Sequence, residues 1–137
     1  MIGERIYSGF AFEQEAGYSC AVTDGEWVFV SGTTGFDPET QQFAPTAEEQ
    51  AEQCFANIGR ALRAAGTDLQ NMVRIRFYVA TREEFERVRP IIRKYCDPAR
   101  PAATGLICAM IEERMRVEIE VTAKRPLPRE AAGPEAG

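Results

Sequence analysis

Apolar and polar residues alternate along this chain with two different periods, and each change of period marks the boundary of an element. Ser19 to Val22 and Glu26 to Gly32 are apolar runs flanking Asp24-Gly25, a two-residue turn signal, so they predict a β-hairpin. Residues 33–45 (TTGFDPETQQFAP) have the Gly, Pro and Asp-Pro content of a loop, with a short strand near Phe43, and are expected to wall a site at the strand end. Thr46 and Glu49 then form a capping box, and Ala51, Phe55, Ile58, Leu62 and Ala65 recur at helical spacing until Gly66. Period two returns over Asn71 to Ala80, where Val73, Ile75, Phe77 and Val79 alternate with Arg74, Arg76 and Tyr78. Thr81 and Glu84 repeat the capping box ahead of a second helical stripe, Phe85, Val88, Ile92 and Tyr95. Pro90 inside the stripe is expected to kink or shorten that helix. A Pro-rich connection (residues 96–102) leads to apolar strands over Thr104 to Ile111 and Met115 to Ala123, joined by the polar turn Glu112 to Arg114.

The order β-β-(β)-α-β-α-β-β predicts an α+β fold, a mixed sheet with two helices packed on one face. One domain is expected over residues 1–125, with 126–137 too poor in apolar residues to pack and forming a loose tail. The face away from the helices carries Arg74, Arg76, Tyr78, Glu118, Glu120 and Thr122. Two readings of it stand: a solvated face laced by cross-strand ion pairs, or a face turned toward other subunits and lining a polar cavity.

Charge and composition narrow the function. With 21 acidic against 16 basic residues there is no basic footprint for a phosphate backbone, and no nucleic-acid partner is expected. Apolar runs are far shorter than the roughly 20 residues of a membrane span and the N-terminus has no signal core, so no membrane partner and a cytoplasmic protein are expected. Cys20, Cys54, Cys96 and Cys108 form no C-x-x-C pair and there is no histidine, which points to free thiols and no metal site. Without histidine, acid–base work falls to carboxylates, tyrosine, water or backbone.

Several residues then resemble the RidA/YjgF/L-PSP family: Gly17-Tyr18, Trp27 to Gly32, Asp37-Pro38-x-Thr40, Asn57-Ile58, Phe77-Tyr78-Val79 and Val117 to Val121. The likeness covers about residues 7 to 125 almost without gaps. It implies a chorismate-mutase-like fold, a homotrimer whose sheets surround a central barrel, and small-molecule sites in the clefts between subunits. It implies hydrolysis of reactive imines and enamines to 2-keto acids and ammonia, with no metal and no organic cofactor.

By this resemblance Glu118 is the carboxylate that helps activate water, and Tyr18 borders the cleft, either binding the ligand or anchoring its strand. Gly32 and Thr33 lie at the cleft rim, and Thr104 stands at the entry to the strand preceding the last hairpin. The family's arginine for the substrate carboxylate falls, counting back from Glu118, on Ala103. Arg76, Arg89 and Arg100 are the candidates to replace it, Arg76 also being read as an ion-pair partner of Glu118 or Glu120. Cys108 is expected in the core. The missing guanidinium is expected to slow the hydrolysis, and a non-catalytic ligand-binding or regulatory trimer is the other reading. Ribonuclease activity is set aside by the acidic charge and the missing histidine.

Overall fold

The computed structural model describes residues 2–127. Its strands and helices run β1 (Arg5–Ile6), α1 (Ala11–Ala16), β2 (Ala21–Asp24), β3 (Trp27–Thr34), β4 (Phe36–Asp37), β5 (Gln42–Phe43), α2 (Ala47–Ala64), a 3₁₀ turn (Leu69–Asn71), β6 (Met72–Val79), α3 (Arg82–Cys96), β7 (Ala102–Ile107) and β8 (Val117–Lys124). One six-stranded sheet has the order β1-β2-β3-β8-β6-β7, and β4 pairs with β5 separately. Every pairing in the large sheet is antiparallel except β6 with β7. This is the mixed α+β sheet that the periodicity predicts.

Both threonines cap their helices, each by the forward bond of the expected capping box. Thr46 Oγ1 accepts from the Glu49 amide at 3.1 Å, and Thr81 Oγ1 accepts from the Glu84 amide at 3.1 Å. The helices they open cover one face of the sheet, where Phe55, Ile58 and Leu62 of α2 and Val88 of α3 meet Val28, Ile75, Val117 and Ile119, all fully buried. Each such side chain contributes about 1.5–3 kcal/mol of hydrophobic burial. Two polar ties fix how the helices sit. Buried Gln50 of α2 donates to the Ala44 and Arg114 carbonyls at 2.8 and 2.9 Å and accepts from the Arg116 amide at 2.8 Å. Glu84 of α3 takes both Nε (2.8 Å) and Nη2 (2.5 Å) of Arg116.

Several details depart from the sequence reading. The first hairpin pairs Asp24 with Trp27, so its loop is Gly25-Glu26, one residue later than expected. Val73 is exposed rather than inward, because Met72 pairs with Ala123 and Arg74 with Thr122. That bulge leaves Val73 as an extra residue and shifts the alternation. Helix α3 runs through the exposed Pro90 to Cys96 without being shortened, held by Val88 and Ile92, which pack on either side of it. The strand expected over Thr104 to Ile111 is Ala102–Ile107, and the last strand starts at Val117 rather than Met115. Cys108 is only half-buried at the end of β7, whereas Cys54 is the core thiol. A third helix, α1, and the two-residue β1 precede the elements that the pattern announced. From residue 128 the expected tail lies outside the described residues. Among the described residues no helix is long and apolar enough to cross a membrane.

Candidate functional site

The site grows from an irregularity in the central strands. β3 pairs with β8 through Val30 and Val121, then through Thr33 and Ile119, so β3 carries one extra residue across Ser31-Gly32. The bulge lays Gly32 over Glu118 of β8, where a Cβ on residue 32 would stand 2.6 Å from Glu118 Oε1. Gly32 does not adopt a positive φ, so space, not backbone conformation, requires glycine there. Hydrogen bonds hold the bulge. Ser31 Oγ donates to the Ser19 carbonyl at 2.6 Å and the Ser31 amide to the Cys20 carbonyl at 2.9 Å. Asn57 of α2 donates to the Thr34 and Phe36 carbonyls at 3.2 and 2.9 Å.

The N-terminal segment supplies the second wall. α1 ends at Gly17 with φ +79°, the left-handed conformation that glycine adopts at least cost. The Gly17 and Tyr18 amides both donate to the Glu13 carbonyl, at 2.9 and 3.0 Å. The Glu13 carboxylate, almost fully buried, accepts from the amide of Ser8 at 3.0 Å and from its hydroxyl. These bonds set Tyr18 beside Phe12, ring edge to face at 6.3 Å, while Phe10 packs 4.6 Å from Phe36. Between this segment and the bulge lies a cavity of about 290 Å³. Tyr18, Gly32, Thr33 and Glu118 all line it, together with Glu13, Cys20 and the aromatic rings.

Electrostatics inside the cavity are negative. Burial raises the Glu118 carboxyl above the usual carboxylate range, and the neighbouring charge of Glu120 raises it further. Among the described residues no hydrogen bond offsets these causes, because Tyr78 donates its hydroxyl to Glu120 and Arg76 lies 3.9 Å from the same carboxylate. Tyr18 is pushed up by burial and then by Glu13 and Glu118. Burial and then Glu13 push the Cys20 thiol up to about 11, which keeps it protonated near neutral pH and a poor nucleophile.

The other candidate residues lie elsewhere in the protomer. Arg76 is on the outer face of β6 and is partnered by Glu120, one of its two expected carboxylates; Thr104, exposed, is opposite it on β7. Neither lines the Glu118 cavity. Arg89 and Arg100 border a separate groove of about 340 Å³ between α3 and β7. There Arg89 pairs with Glu86 at 3.3 Å and Arg100, at φ +50°, with Asp97 at 2.6 Å. Ala103 lines that same groove and pairs with Ile75 on the helix-covered side of the sheet. Within one protomer it therefore does not share the cavity of Glu118 and Tyr18. Among the described residues no group of three or more His, Cys, Asp or Glu is placed to hold a metal ion.

Residues 9–125 match the model of the family described as Endoribonuclease L-PSP. The chain belongs to that family. This L-PSP family member is 35% identical over 107 residues, 77% of its length, to the 2-iminobutanoate/2-iminopropanoate deaminase of Bos taurus, of which 78% is covered. It is 34% identical over 107 residues, again 77% of its length, to Reactive Intermediate Deaminase A, chloroplastic, of Arabidopsis thaliana, of which 57% is covered. Among solved structures, Rv2704 of Mycobacterium tuberculosis, a member of the YjgF/YER057c/UK114 family, superposes with a TM-score of 0.79 at 31% identity, covering 88% of this chain and 98% of that one. The fold expected from the resemblance is thus the fold of the L-PSP family member.

Sequence reasoning missed Glu13, the aromatic wall and Cys20. Helix α1 is six residues long with no side-chain N-cap, below the length at which periodicity registers. The signal that was present is Gly17, a C-cap preceded by a short apolar and acidic stretch.

Proposed function

We propose that this protein hydrolyses reactive imines and enamines in clefts between the subunits of a homotrimer, with the Tyr18 and Glu118 cavity as one wall of each cleft. The observation that carries the reading is Glu118: a half-buried carboxylate with no hydrogen bond from the described residues to offset its burial, facing a tyrosine across a small cavity and held there by a glycine bulge. Its raised pKa suits a group that takes a proton and returns it. Water adds to the iminium carbon, the C=N electron pair moves to nitrogen, and the proton released from water passes to Glu118. Glu118 then protonates the amino nitrogen of the carbinolamine. The hydroxyl oxygen forms the carbonyl as the C–N bond breaks, and ammonia departs with the hydroxyl proton as ammonium. Tyr18 orients the ligand from the opposite wall.

The relatives named as deaminases of 2-iminobutanoate support the reaction class. Support for assembly comes from the sheet face away from the helices, where Trp27 is 37% and Phe29 46% exposed in one protomer and would be covered by other subunits. A sedimentation mass of a single chain would overturn the trimer. The reaction is tested with 2-iminobutanoate generated in situ by a dehydratase: this protein shortens the lifetime of the imine and Glu118→Gln removes the effect. A second reading, a ligand-binding trimer without turnover, is favoured by Ala103 in the place of the family's arginine. An unchanged imine lifetime, with a ligand still bound in the cavity, would establish it.

A further inference from the structure

The charges lining the Glu118 cavity bear on which molecules enter it. Glu13 and Glu118 approach from opposite walls, and the fields of both reach Tyr18. Among the described residues, the one cation in the lining, Arg60 of α2, is exposed and donates to Asn57 Oδ1 at 3.4 Å, so water screens it far more than the buried Glu13. The remaining surface is largely apolar, with Phe10, Phe12 and Phe36 as its aromatic part. A carboxylate entering here loses its hydration against two like charges, whereas a cation gains from both carboxylates and from the aromatic faces.

We infer that the cavity prefers a cationic nitrogen on an apolar body without a carboxylate, an iminium as substrate and an ammonium as its stable mimic, so that 2-iminobutanoate is a poorer substrate than a carboxylate-free imine. The inference rests on the hydrolytic reading for turnover but not for binding. With such a substrate the steps given above are unchanged, and the product is a neutral ketone or aldehyde plus ammonium. Ala103 is then in keeping with the ligand, because no carboxylate needs an anchor.

Three probes of one shape test the charge preference: benzylammonium, benzyl alcohol and benzoate, titrated calorimetrically into the full chain near pH 7 at low salt. Benzylammonium is expected to bind at least about tenfold more tightly than benzoate, with the alcohol between them. Added salt should narrow the gap. Glu118→Gln, which keeps the side chain's size, should remove most of it, with amide shifts confined to Tyr18, Gly32 and their neighbours. Benzoate binding as tightly as benzylammonium, or no binding of any probe, overturns the inference. So does a preference that Glu118→Gln leaves intact. If that variant fails to fold, the wild-type ranking decides alone. Turnover of 2-iminobutanoate together with a benzoate preference would leave the hydrolase standing and remove this inference. Glu118-dependent ammonium binding with no imine turnover would do the reverse.

Discussion

Replacing Gly32 by alanine separates the chemistry of the site from the stability of the fold. The new methyl would stand 2.6 Å from Glu118 Oε1 and 3.1 Å from its Cδ. To reach an ordinary contact of about 3.4 Å the carboxylate must retreat by roughly 0.8 Å. Misplacing a reacting group by about 1 Å costs on the order of 100-fold in rate, so kcat/KM for imine hydrolysis should fall by about two decades, equivalent to about 2.7 kcal/mol of transition-state stabilisation. Stability should hardly change. The group that moves is the end of a flexible side chain, at a cost of under about 1 kcal/mol, and losing a glycine from a strand returns roughly 0.5–1 kcal/mol. The assay pairs steady-state imine consumption with thermal unfolding of the same sample. Wild-type turnover in Gly32→Ala would mean that the position of the Glu118 carboxylate does not govern the reaction. A Tm lower by ten degrees or more would mean that the bulge is structural.

Gly105→Ala is the opposite case, since its methyl would stand 2.1 and 2.5 Å from Phe77 ring atoms, and that ring is stacked on Phe85. It should cost about 1–3 kcal/mol in urea unfolding, with residual activity tracking the folded fraction. Gln50→Ala removes the partner of two carbonyls and one amide and should destabilise by about 2–4 kcal/mol, measured the same way. The acid limb of the pH profile of kcat/KM should lie above the ordinary carboxylate range, because burial and Glu120 raise Glu118. The folded state also holds that proton more tightly than the unfolded chain. Stability contributed by Glu118 is therefore present below the ordinary value and lost as pH rises to the raised one, a decline that Glu118→Gln should lack.

Most of the fold was legible because its signals are local. Both threonine N-caps, the period-two strands and the stripe through Phe55, Ile58 and Leu62 act within a few residues and appear in the structure near where the chain announces them. The departures arise from pairing between distant segments. Nothing in NMVRIRFYVA marks Val73 as the extra residue of a bulge, since the bulge is defined by the register of β8. The site divides the same way. Gly32, Tyr18 and Glu118 came from motifs, and one cavity holds them. Arg76 pairs with Glu120, one of the two carboxylates its ion-pair reading offered, and the choice between them was set by the cross-strand register, which neither segment shows alone. Glu13 escaped because it sits in a helix too short to announce itself and acts through Ser8, three residues before that helix begins.

Strand β7 ends the sheet with all six residues exposed, Leu106 and Ile107 among them. Its outer edge offers unpaired amides and carbonyls beside apolar side chains, with neither proline nor a charged residue to discourage another chain from adding to it. A chain with this edge uncovered is therefore open to pairing with another copy. β7 also pairs in parallel with β6 only after the whole of α3 has been laid down, which makes this edge a late-forming element. Refolding yield should accordingly fall as concentration rises, because crowded chains would meet edge to edge before their sheets are complete. Expression at low temperature, which slows encounter and weakens apolar association, is the condition under which fewest chains meet edge to edge.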